Sequence, residues 1–168
     1  MDAQEITRIC LNDAFIAPYF FGCIALDELP YPLPPFSLFI INSQSRSLPG
    51  EHWFSLNVDL ELPGKCIFVD SFGRPPPSSI SKQILKQERQ IVYNDFIIQN
   101  PLTQVCGSIS ILFLKLWSHG YTTMDILNQF LPYDQFHDPF KSDAFSNQFI
   151  SQMSNSEVGQ ILPNIQNP

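Results

Sequence analysis

The stretch Cys106–Gly120, "CGSISILFLKLWSHG", decides the fold. It is apolar on almost every side and stops at a glycine, which reads as a helix buried in the centre of a domain. Its apolar part, about residues 109–117, holds roughly 9 residues, whereas a membrane span needs about 20, so no membrane association is expected. A thiol at the first turn of such a helix meets free N–H groups and the positive end of the helix dipole. Both favour the thiolate. Cys106 is therefore a candidate nucleophile, and Gly107 beside it leaves room for an incoming carbonyl. Upstream stand two glutamines, Gln99 and Gln104. Either amide has the chemistry to supply an oxyanion donor beside the Cys106 N–H, and local physics leaves that choice open.

Around this helix the pattern is α+β. Residues 2–14 carry Ile6, Ile9, Cys10 and Ala14 at helical spacing behind a capping Asp2. The four prolines of "ELPYPLPPF" impose an extended loop. "FSLFIIN" reads as a strand buried on both faces. "EHWFSLNVDL" and "KCIFVDSF" read as two strands joined by a turn at "ELPG". After "RPPPSS", Ser78 or Ser79 is placed to cap a helix through "ISKQILKQER". "QIVYNDFII" returns to strand. Thr122 or Thr123 caps a helix over "MDILNQFL", and one more helix is expected near "SDAFSNQFISQM". The whole chain, 1–168, reads as a single domain with a frayed tail at about 150–168.

Composition narrows the function. Apolar residues are 44% and charged residues 15% of 168, enough to bury a real core without staples. Fifteen phenylalanines suit either an aromatic core or a peptide-binding groove. A net charge of −7 disfavours nucleic acid as a partner. No apolar targeting segment opens the sequence, and the four cysteines show no CxxC spacing, so free thiols and no metal are expected.

Of the three histidines, His52 opens a strand after the loop "LPG", where an imidazole can project into a cleft that Trp53 would wall. A lone histidine is more often a surface or satisfied core residue, so a partner acid matters. If residues 52–59 and 65–70 form a hairpin, Asp70 falls within a residue or two of His52. Asp59 lies about 23 Å away at roughly 3.3 Å per residue. Geometry picks Asp70. His119, in the last turn of the central helix, suits a cation complementing the dipole. His137 sits in a polar loop, and Cys10, Cys23 and Cys66 suit small buried hydrophobes.

In order, His-Trp, acid, Gln and Cys-Gly resemble the adenovirus endopeptidase (adenain) family of cysteine proteases. "PYFFG" at 18–22, "NSQSRSLPGEHW" at 42–53, "FVDSFG" at 68–73 and "QNPLTQVCG" at 99–107 resemble its motifs, and "MDILNQF" and "DPF" fall where its helical part continues. The resemblance covers about residues 5–150. It implies the reordered papain-like fold: a central mixed β-sheet packed against a buried helix carrying the nucleophile, with a reduced helical lobe. His52 is then the general base, Asp70 its orienting acid, Cys106 the nucleophile and Gln99, seven residues before it, the oxyanion glutamine; Gln104 has no role. Gly50, Trp53 and Gly107 are expected at the substrate.

The resemblance further implies a monomeric endopeptidase that matures capsid or virion precursor proteins, acting in the virion and in the nucleus or cytoplasm of the host cell. The adenoviral enzyme is stimulated by DNA and by a peptide disulfide-bonded to a cysteine. The acidic balance here, and the lack of a cysteine between Cys66 and Cys106, argue against either activator, so no cofactor is expected. Two other readings remain. One is an isopeptidase for SUMO or a ubiquitin-like modifier, whose clan relatives place Gln six residues before Cys and Asp directly before it; Val105 and the spacing of seven disagree. The other is a silent module that keeps the groove only to hold a particle protein.

Overall fold

The unbroken apolar run of β2 (Ser37–Asn42) is a strand with two buried faces, and the sheet is built around it. The computed structural model describes residues 1–134, with side chains for 1–130. Along β2 the alternation of a pleated strand sends Leu38 and Ile40 to one core and Phe39 and Ile41 to another. β3 (Trp53–Val58) and β4 (Lys65–Asp70) are likewise buried over their last five residues. With β1 (Phe20–Ile24) and β5 (Gln90–Tyr93) they form one mixed sheet in the order β1-β2-β3-β4-β5. β2, β3 and β4 run antiparallel to their neighbours in that trio, while both outer pairs are parallel.

Helices cover both faces. On one lie α1 (Ala3–Asn12), α3 (Cys106–Ser118) and α4 (Thr123–Asp134), packed through Ile6, Cys10, Ile126 and most of α3. On the other lie α2 (Ser78–Leu85) and the proline-rich segment, through Ile80, Ile84, Leu29 and Leu33. Eight residues are too few to hold a helix in water. Burial of Ile80 and Ile84, worth about 1.5–3 kcal/mol each, is what keeps α2 folded.

α3 is buried at every position from Cys106 to Trp117. It closes at Gly120, φ +84°, where the Gly120 N–H donates to the Trp117 carbonyl and the Tyr121 N–H to that of Leu116. That is a Schellman ending, and it needs the left-handed conformation glycine allows.

Several details depart from the sequence expectations. β1 arises within "PYFFG", where Gly22 and a register shift between Phe20 and Gly22 hide the strand pattern. Neither Ser78 nor Ser79 caps α2; both lie inside it, and Pro77 takes the cap position without a side-chain bond. α2 stops at Leu85, short of the expected 89. Thr122, not Thr123, caps α4, its Oγ1 accepting from the Asp125 N–H at 3.1 Å. β5 ends at Tyr93 because Asn94 leaves the ladder and pairs by its side chain instead. His119 sits half-buried at the end of α3, where burial and Lys115 push its pKa down, so it is not the dipole-complementing cation expected. Phenylalanines fill the cores, with Phe39, Phe68, Phe113 and Phe130 fully buried. The expected helix at 142–153, "DPF" at 138–140 and His137 lie outside the described residues. Among the described residues no helix is long and apolar enough to cross a membrane.

One polar contact ties α1's trailing turn to the central helix. Lys115 Nζ donates to Asp13 Oδ2 at 2.5 Å, with both side chains over 90% buried. Asp13 Oδ1 also accepts the N–H groups of Phe15 and Ile16, each at 3.0 Å. Asp13→Asn keeps that turn and strands the Lys115 charge, so it is expected to cost about 3–5 kcal/mol in urea denaturation. Asp13→Asn combined with Lys115→Met is expected to recover most of the loss.

Candidate active site

Strand register brings the first two groups together. Phe54 pairs with Asp70 across β3 and β4, so His52, two residues earlier, overhangs the carboxylate. Its Nε2 lies 2.6 Å from Asp70 Oδ1, and both residues are buried. Asp59 sits at the far end of the same hairpin, paired with Arg89. The third group comes from α3. Cys106 lines the same cleft as His52, and each side chain shifts the other's pKa.

Each charge in this relay has its own support. Burial opposes ionisation of Asp70, yet the His52 bond, the Phe72 N–H at 2.8 Å and Arg74 Nε at 2.9 Å together hold its pKa below the ordinary carboxylate range. For His52, burial works against the cation, and the bonds to Asp70 and Cys106 overcome it and raise the pKa. Burial likewise raises Cys106, but the His52 bond, the Trp53 N–H, the imidazolium charge and the Gly107 N–H bring it below an ordinary thiol. The two shifts run in the directions that favour a thiolate–imidazolium pair. The other thiols go the opposite way: burial pushes Cys10 and Cys23 up to about 12 and Cys66 up to about 11.

α3 begins without a side-chain cap, since Val105 offers no acceptor. The first-turn N–H groups are left without that acceptor, and the Gly107 N–H helps to lower the Cys106 pKa. Gly107 lines the cleft beside Cys106. A Cβ there would point at the Met1 side chain, 3.3 Å from its sulfur, and at Ile6, so the glycine lets the N-terminal segment pack on α3. Gly50 has φ +77°, and a Cβ there would stand 2.5 Å from Asn42 Nδ2, so the turn leading into His52 needs glycine.

The two glutamines differ sharply in the structure. Gln99 is buried, its Oε1 accepting from Ser71 Oγ at 2.7 Å and its Nε2 donating to the Thr103 carbonyl at 2.8 Å. Gln104 is exposed. Both line a cleft of about 760 Å³ that also contains His52, Trp53, Gly50, Cys106 and Gly107. Cys23, expected as a core residue, is only half-buried and lines it too. The Trp53 indole donates to the Met1 carbonyl at 3.3 Å. Among the described residues, the aromatic rings that line the cleft are His52, Trp53 and Phe72. Among the described residues no cluster of His, Cys, Asp and Glu could hold a metal.

Three residues at the site escaped the sequence reading. Phe72 stacks on the His52 ring at 4.7 Å and 24°, and the Arg74 guanidinium lies over the Phe72 ring, 5.0 Å from its centre. Asn94 imitates the next rung of the sheet. Its Oδ1 accepts the Asp70 N–H at 3.0 Å and its Nδ2 donates to the Asp70 carbonyl at 2.7 Å, fixing the main chain that carries the acid. Of these only Phe72 carried a signal in the sequence, as part of the "FVDSFG" motif at 68–73.

At pH 7, iodoacetamide is expected to label Cys106 first and leave Cys10, Cys23 and Cys66 behind, as read by peptide mapping. Labelling should fall as pH drops through the lowered Cys106 pKa. His52→Ala removes the largest lowering contribution, so the rate at pH 7 is expected to drop by roughly tenfold or more.

No family model matches the chain, and no curated protein matches it. Among solved structures, the crystal structure of ASFV pS273R protease is similar with a TM-score of 0.49 and 13% identity, over 72% of this chain and 58% of that one. The crystal structure of Se-Met ASFV pS273R protease gives a TM-score of 0.34 and 17% identity, over 51% of this chain and 38% of that one. The chain thus spans less than two thirds of the length of the proteins it is similar to.

Proposed function

We propose that the protein is a cysteine endopeptidase of the adenain type that processes precursor proteins of a virus or virus-like element. The observation that carries this reading is the buried His52–Asp70 pair, 2.6 Å apart, whose histidine lines one cleft with Cys106 and Gln99. A structural histidine needs no acid behind it, and a structural cysteine needs no lowered pKa.

In the proposed reaction the Cys106 thiolate attacks the carbonyl carbon of a peptide bond. The negative charge moves to the carbonyl oxygen, which the Gln99 amide and the Cys106 N–H stabilise. As the C–N bond breaks, the His52 imidazolium gives its proton to the departing amine and a thioester remains on Cys106. His52, now neutral, takes a proton from water, whose oxygen attacks the thioester and returns Cys106 to thiolate. Asp70 keeps the imidazole in register and offsets its charge throughout. The family resemblance points to small residues, often glycine, around the scissile bond, and to capsid or virion precursors as substrates.

Cys106→Ala is expected to abolish cleavage of glycine-containing peptides in a mass-spectrometric library assay, with the circular dichroism spectrum unchanged. Turnover surviving in that variant overturns the assignment. Modifier probes ending in Gly-Gly provide a second arm: labelling faster by these than by short peptide warheads would move the assignment from endopeptidase to isopeptidase.

A further inference from the structure

A glutamine amide is nearly symmetric in shape and opposite in charge at its two ends. For Gln99 to stabilise an oxyanion, its NH₂ end must serve the cleft; turned over, it would present a carbonyl and repel the developing charge. Something must therefore fix which way the amide faces. Thr103 does half of this, because a backbone carbonyl can only accept and so demands an N–H at 2.8 Å. With the nitrogen placed there, Oε1 falls 2.7 Å from Ser71 Oγ, and the serine hydroxyl must donate. Both groups of the amide are then engaged, and the second amide hydrogen has no partner among the described residues.

Ser71 holds the main chain of this glutamine as well. Its own carbonyl accepts the N–H of Ile98 at 2.8 Å and of Gln99 at 2.9 Å. Backbone and side chain of Gln99 thus hang from one buried residue, 2% exposed, and that residue directly follows Asp70. The next residues reinforce the placement. The Thr103 N–H and Oγ1 both donate to the Asn100 carbonyl, at 3.1 and 2.9 Å, fixing the turn that presents the Thr103 carbonyl.

We propose that Ser71 is a positioning residue that sets the orientation of the Gln99 amide, tying the acid's loop to the oxyanion site. This rests on the endopeptidase reading. Ser71 is not among the residues that line the cleft; it acts through Gln99. Its hydroxyl is therefore expected to matter for kcat, little for KM, and not at all for the pH profile set by His52 and Cys106.

The test is a double-mutant cycle on a fluorogenic peptide, with active enzyme counted by Cys106 alkylation. Gln99→Ala is expected to lower kcat by roughly 100-fold, as loss of one oxyanion donor does. Ser71→Ala is expected to lower it by about tenfold, with KM within about twofold and an unmoved pH profile. The combined variant is expected to be no slower than Gln99→Ala. Losses that multiply, or a Ser71→Ala enzyme as fast as wild type, overturn the proposal while leaving the protease reading in place. Absence of any wild-type turnover overturns both. Should Ser71→Ala not fold, Ser71→Thr and Ser71→Val replace it, equal in bulk and differing in the hydroxyl. Thr retaining several-fold more activity than Val supports the assignment, and equal activity overturns it.

Discussion

A carboxylate taken out of water has to find its hydrogen bonds inside the protein, and Asp70 is where this molecule concentrates them. It is 1% exposed and receives the His52 ring, the Phe72 N–H and the Arg74 guanidinium. Left unpaired, such a charge would cost several kcal/mol. Each donor therefore constrains a piece of the fold: the entry to β3, the turn after β4, and the Phe72 ring. Asn94 adds a fourth constraint through the main chain, and in doing so ends β5. The neighbourhood of the candidate site is rigid because one buried charge requires all of these parts at once.

The central helix answers a different need. α3 is buried along its length, so its register against β3 is set by packing and cannot drift. The sheet fixes Asp70 and His52, and the helix fixes Cys106. The three meet because β4 ends where α3 begins. Ser71 and Gln99 span the same junction by hydrogen bonds at 2.7 to 2.9 Å.

What could be read from the sequence follows from how far each signal travels. α3, β2 and the β3–β4 hairpin carry long patterns, and hairpin register alone separates Asp70 from Asp59. Cys106 was marked by its place at a helix start. Asn94 and Ser71 were not legible, because a polar loop residue reveals nothing of a partner 24 or 28 positions away. The choice between Gln99 and Gln104 needed the resemblance; in the structure it is a difference between a buried amide with two partners and an exposed one. Gly107 also has a reason that was not legible locally: its missing Cβ faces Met1 and Ile6.

The bare start of α3 has a consequence for how this protein can change. Serine, threonine or aspartate at position 105 would give the helix the cap it lacks, a substitution that ordinarily adds about 1 kcal/mol. The acceptor it introduced would compete with the Cys106 sulfur for the Gly107 N–H, raising the thiol's pKa as it tightened the helix. Val105 leaves the helix short of its best stability, and the Gly107 N–H stays available to favour the thiolate.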